Sequence, residues 1–141
     1  MKKFTFELQK VLEFRDFEKK QAEGELAKAL AVETQINENL KKIAQNYAAV
    51  KAQMKGSLDF EDVIAQSKYN NLLEHQKEEL LKQLAEAKLV SEQKREVLRE
   101  CMKKTTALEK LREKQLAEWK AAADYEEAEL LDEVKNKMTI Q

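Results

Sequence analysis

The chain has 141 residues, 38% of them charged, with 26 basic side chains against 27 acidic. The near-cancelling, interleaved charge excludes the one-sided basic stripe that nucleic-acid binding needs. With only 6% aromatic residues and much alanine, a narrow seam can be buried but a thick core cannot.

There is no proline, and glycine occurs only at Gly24 and Gly56. Chain reversals draw on those two residues, so a single turn is expected near Gly56-Ser57. The expected fold is all-α: two long helices in an antiparallel coiled-coil hairpin, one domain over residues 1–141, with its apolar residues buried along a rod.

Helix 1 is expected over about residues 4–54. From Ala22 its seam runs Ala22, Leu26, Ala29, Glu33, Ile36, Leu40, Ile43, Tyr47, Val50, Met54. The steps alternate four and three, the period of a left-handed coiled coil. Before Ala22 the phase is looser, through Phe4, Leu8, Val11 or Leu12, Arg15 and Lys19. Gly24 costs this helix about 1 kcal/mol relative to alanine. The turn is expected over about residues 55–60, with Gly56 closing helix 1. Ser57 or Asp59 caps the next helix, and Leu58 and Phe60 close the end of the hairpin.

Helix 2 is expected over about residues 61–137. Its seam takes Val63, Tyr69, Leu73, Leu80, Leu84, Ala87, Val90, Val97, Cys101, Leu108 and Leu111, interrupted by Lys94, Lys104 and Gln115. Folding about the turn brings Tyr47 near Tyr69, Ile36 near Leu80, Glu33 near Gln83 and Leu8 near Leu108. Because the second helix is the longer, its last stretch past Leu111 is expected to overhang by roughly 35–40 Å at 1.5 Å per residue. A lone helix this charged is marginal in water. Trp119 and Tyr125 lie on that overhang and are read as anchors for a partner.

Little in the chain points to catalysis. Glycines at 24 and 56 alone build no phosphate loop, and His75 and Cys101 stand too far apart to begin a metal site. His75 reads as a surface residue and Cys101 as a small seam hydrophobe. Neither an enzyme nor a cofactor or metal is expected. Charged residues break up the N-terminal stretch, so it makes no signal peptide, and no run approaches the length of a transmembrane segment. The lone cysteine fits a reducing compartment, so a cytoplasmic protein is expected.

The two ends carry a resemblance. Phe4-x-Phe6-x-Leu8-Gln9-x-Val11-Leu12-x-x-Arg15-x-x-Glu18, then Glu25-Leu26-Ala27-Lys28-Ala29, resembles the start of the flagellar export protein FliJ family. Leu108-Glu109-Lys110-Leu111-Arg112-Glu113 and Leu131-Asp132-Glu133 resemble its C-terminal segments. At Leu72, Gln76, Glu79 and Gln83, where family members carry apolar and histidine residues, only Leu72 keeps that character.

The resemblance implies a non-catalytic component of the flagellar type III protein export apparatus, in bacterial flagellum biogenesis and motility. Such a protein is a coiled-coil stalk and chaperone coupling the export ATPase hexamer to the membrane export gate. Its implied partners are that ATPase, its stator protein, the gate, and export substrates or their chaperones. It implies a place in the cytoplasm, peripheral to the inner membrane at the flagellar base, as a monomer with a dimer left open. On this reading Phe4, Phe6, Leu8, Leu108, Leu111 and Trp119 face the ATPase or stator, while Tyr69, Leu72 and Leu73 face the gate. The rival readings are a holdase chaperone of the prefoldin kind and a generic dimeric scaffold. The first needs β-hairpins between its helices, which Lys55–Asp62 is too short to supply.

Overall fold

The computed structural model describes residues 2–53 and 59–139. Two helices account for nearly all of them: α1, Gln9–Gln53, and α2, Phe60–Thr139. They run antiparallel, and α2 is much the longer at 80 residues against 45. The expected reversal at Gly56-Ser57, together with Met54 and Leu58, lies outside the described residues. The chain forms two compact units, Met1–Gln21 with Arg99–Gln141, and Ala22–Leu98.

In the unit Ala22–Leu98 the α1 seam is where its spacing puts it. Ala22, Ala29, Ile36 and Ile43 are buried, one every seven residues, and Leu26, Glu33, Leu40, Tyr47 and Val50 between them are half-buried. Every second seam position is thus dry and the rest are shielded on one side, the geometry of a narrow two-helix seam.

The facing seam on α2 differs from expectation. Leu73, at 2% exposure, and Ala87 are buried, with Leu80 and Leu84 half-buried. Tyr69, Val90 and Val97, however, are exposed, and their neighbours Asn70, Ser91 and Leu98 take the seam. A two-helix seam keeps its 4-3 stepping wherever the helices stay paired. From Leu73 that stepping passes through Leu80, Leu84, Ala87, Ser91, Lys94 and Leu98, whatever those residues are. Lys94 therefore continues the seam rather than interrupting it. Its stem lies along the seam and its Nζ reaches to 4.0 Å from Glu25 Oε2.

Two polar side chains on this seam, Ser91 and Tyr47, find partners across it, whereas Asn70 Oδ1 is buried without one. The Ser91 hydroxyl, on a residue only 2% exposed, donates to Glu33 Oε1, with the Lys88 carbonyl oxygen 3.0 Å away as a second acceptor. Tyr47 Oη lies 3.1 Å from the Asn70 carbonyl oxygen and 3.0 Å from Glu74 Oε2, either of which can accept its proton. These pairings correct the register. Glu33 meets Ser91 rather than Gln83, and Tyr47 meets Asn70 and Glu74 rather than Tyr69, each partner lying further toward the C-terminus of α2 than expected.

The other unit holds the N-terminal segment. Residues 2–6 have no regular secondary structure, and α1 begins at Gln9 rather than near Phe4. Phe4 and Phe6 are two apart, so an extended backbone turns both to one side, whereas a helix would set them on different faces. Phe6 is buried at 5% exposure. Its carbonyl accepts the Gln9 N–H at 3.1 Å, and the Leu8 carbonyl accepts the Leu12 N–H at 2.9 Å, starting the helix. On α2 the seam continues through half-buried Cys101, buried Thr105 and half-buried Leu108 and Arg112. Thr105, though only 1% exposed, donates to its own helix at the Cys101 carbonyl, 3.0 Å away, so its hydroxyl is not orphaned. Lys104 is exposed and off the seam.

At the start of α2, Asp59 accepts the Val63 N–H through its carbonyl at 3.1 Å. Glu61 and Asp62 occupy the first turn, where carboxylates favour the helix dipole. Phe60, expected to close the hairpin, is instead strongly exposed.

Candidate protein-interaction surface

The residues singled out in the sequence do not form one surface. In the unit Ala22–Leu98, Leu73 is among the most buried side chains and is out of reach of any partner while the helices stay paired. Its neighbours Tyr69 and Leu72 are exposed. In the other unit, Phe6 is buried, Phe4, Leu108 and Leu111 are half-buried, and Leu8 is exposed.

Trp119 was expected on an unpartnered overhang; the fold gives it a partner. Its ring packs on Phe4 with centroids 6.1 Å apart at 58°, a tilted aromatic pair. Its indole N–H donates to the Lys2 carbonyl at 3.2 Å. The Arg112 guanidinium lies over the other aromatic of the pair, 5.8 Å from the Phe4 ring centre, within cation–π range. Tryptophan, phenylalanine and arginine thus clamp the N-terminal segment onto α2. The F-x-F pattern signals this clamp in the sequence, because alternation at period two marks an extended segment with one apolar side.

The unpartnered stretch therefore begins later than Leu111. Trp119 and Ala123 are half-buried, and from Asp124 to Thr139 every residue is exposed. Tyr125, Leu130, Leu131, Val134 and Met138 show most of their surface to solvent, Met138 reaching 78%. The spacing of Leu130, Val134 and Met138 is four, and Leu131 lies three before Val134, so these residues share one helix face. Ala123 and half-buried Leu116 extend the same line toward the N-terminus at steps of seven. Tyr125 is different. It precedes Val134 by nine residues, two and a half turns at 3.6 residues per turn, so it points away from the apolar face.

The chemistry of enzymes is not assembled among the described residues. A groove of about 440 Å³ runs beside Ile43 and Leu80 and includes His75 and Glu79, but it is open to solvent. His75 is exposed there, as expected. No group of three or more histidine, cysteine, aspartate or glutamate side chains stands ready for a metal ion among the described residues. Cys101 is half-buried on the seam. Tyr47 is the titratable group with a perturbed environment: burial first, then the hydrogen bond and charge of Glu74, hold its phenol above the ordinary value of 10.0. No described helix is long and apolar enough to cross a membrane.

The family model described as flagellar FliJ protein matches residues 4–141. No curated protein and no solved structure matches the chain. With nearly its whole length matched, the chain belongs to the flagellar FliJ family, whose members are flagellar export components.

Proposed function

We propose that this FliJ-family chain is a non-catalytic coupling element of flagellar type III export, joining the export ATPase to the membrane export gate and escorting substrates. The observation that supports this reading most is the end of α2, where Leu130, Leu131, Val134 and Met138 are exposed on one face. A lone charged helix with an apolar face is only marginally stable in water, and covering that face with another protein would stabilise it. The half-exposed Phe4–Trp119 clamp lies next to that face along α2 and adds aromatic contact area of the kind that anchors interfaces. The partners on this reading are the ATPase hexamer and its stator at this end. The exposed Tyr69 and Leu72 serve as the contact for the gate. The protein acts at the cytoplasmic side of the inner membrane.

The test is ATP turnover by the purified export ATPase as this chain is titrated in. Stimulation that saturates, and that is lost when α2 is cut after Ala123, is the expected result. A cut at that point spares Trp119 and so leaves the N-terminal clamp intact. Unchanged turnover across the titration would overturn the coupling role.

A further inference from the structure

The apolar stripe at the end of α2 is bracketed by charges of opposite sign. Taken at alternating steps of three and four, it reads Glu127, Leu130, Val134 and Lys137, the stepping that keeps residues on one helix face. All four are exposed, Leu130 at 58% and Val134 at 54%. Tyr125, Glu129 and Asp132 lie on the opposite side of the helix and stay in water when the stripe is covered.

Read backwards, this stripe is its own complement. In an antiparallel pair that sets Leu130 against the partner's Val134, Glu127 falls against the partner's Lys137. Each of these contacts occurs twice. A parallel pair sets Glu127 on Glu127 and Lys137 on Lys137, and like charges so placed disfavour it. Sliding the antiparallel pair by one heptad sets Lys137 against the partner's Lys120 and leaves Glu127 against the partner's Leu130, an acid without a base. The two charged layers therefore fix direction and register, as a polar seam residue does in coiled coils. A two-fold interface must match itself, and a face built for a different protein has no need of such a match.

We propose that Glu127, Leu130, Val134 and Lys137 form a self-association face, which closes against the same face of a second, antiparallel copy of this chain. The pairing goes beyond the coupling role and does not rest on it. The two-fold axis returns each edge of the stripe to itself. On one edge Leu131 meets the partner's Leu131, and on the other Glu133 meets the partner's Glu133, which weakens the pair. Residues 125–139 overlap, about 22 Å of helix at 1.5 Å per residue. Such an interface is small, of the weak class below about 1,200 Å². The pair therefore forms at high protein concentration, and at low concentration the face is open.

Sedimentation equilibrium of the full chain from micromolar to near-millimolar concentration tests this, with circular dichroism to confirm that each variant keeps its helices. The unmodified chain is expected to pass from monomer to dimer. Leu130→Ser with Val134→Ser should abolish the dimer. Glu127→Lys and Lys137→Glu should each weaken it by about tenfold or more, since each puts like charges in both charged layers. These two single variants, mixed, should pair with one another. The double variant, Glu127→Lys with Lys137→Glu, should recover the dimer of the unmodified chain. Glu133→Gln should tighten it.

A monomer at every concentration would overturn the proposal and leave the face to another protein. A dimer that survives the double serine variant would overturn it too, by placing self-association elsewhere. So would a dimer indifferent to the single charge reversals, or mixed variants that fail to pair. Self-association without ATPase stimulation would uphold this face and reject the coupling role. Stimulation by a chain that stays monomeric would do the reverse.

Discussion

Ile36 and Ile43 in the unit Ala22–Leu98 and Leu130 and Leu131 at the end of α2 are branched aliphatic residues on long charged helices. Their fates are opposite: the isoleucines are buried, and the leucines keep most of their surface in water. Spacing does not separate them, because both sets align on one helix face. What differs is the presence of a second helix opposite. Hydrophobic pattern specifies which face of a helix seeks burial, and a partner decides whether burial occurs.

The comparison is most sharply tested by paired truncations. Leu73→Ala should destabilise the unit Ala22–Leu98 by about 2–5 kcal/mol, as expected for a fully enclosed leucine. Leu130→Ala should shift stability by no more than about 0.5 kcal/mol, as at an ordinary surface position. Chemical denaturation of both variants checks this, and equal effects would mean that the end of α2 is covered. Between these extremes stands Trp119→Ala, which removes the Phe4 ring contact and the donor to Lys2. A cost of about 1–3 kcal/mol is expected, seen as faster amide hydrogen exchange at Gln9 and Leu12 with little change at Ile36.

Smaller effects probe the seam in detail. Ser91→Ala should cost about 1–2 kcal/mol, because Glu33 would lose its donor in a half-buried setting. If the melting temperature did not move, the Glu33–Ser91 pairing and the register built on it would be wrong. Gly24→Ala should stabilise the protein by about 0.5–1 kcal/mol, since nothing lies within 4 Å of where the added Cβ would sit. A loss of stability there would reveal a neighbour against α1.

The most modest effect is an alkaline one. With its folded-state pKa raised, Tyr47 favours its neutral form in the folded protein. Its contribution is complete below the unfolded value of about 10 and is lost as pH rises through the folded value. Stability should therefore decline above about pH 10, and Tyr47→Phe should flatten that decline. Phenolate absorbance in a Tyr69→Phe, Tyr125→Phe background should show ionisation later than in a free tyrosine.

The seam of α1 from Ala22 to Val50 is readable residue by residue, because eight of its nine expected positions are apolar and the stepping is unbroken. On α2 the same reasoning went astray at Tyr69, Val90 and Val97. There the most apolar residues lie one position off the period, and the small hydroxyl residues Ser91 and Thr105 lie on it. The period was the better guide. Ser91 and Thr105 are more buried than any of the α2 valines, because a hydroxyl that bonds to Glu33 or to a carbonyl of its own helix costs little on a narrow seam. Of the expected surface residues, Leu72 and Tyr125 are exposed, while Trp119 is partly and Phe6 wholly occupied by the fold.

By itself the sequence determined that there would be two helices, that the second would be longer, which face of α1 would be buried, and that apolar residues would outlast their partners near the C-terminus. These follow from local rules: the absence of proline, the scarcity of glycine, and a 3.5-residue period that any helix must obey. Tertiary structure alone decided the register and that the Phe4–Phe6 segment, whose alternation the sequence carries, clamps onto Trp119. Each of these depends on which residue of one segment faces which residue of another. Alternatives one turn apart differ by only a few contacts on a seam this thin, and a polar pair such as Glu33 and Ser91 is enough to choose between them.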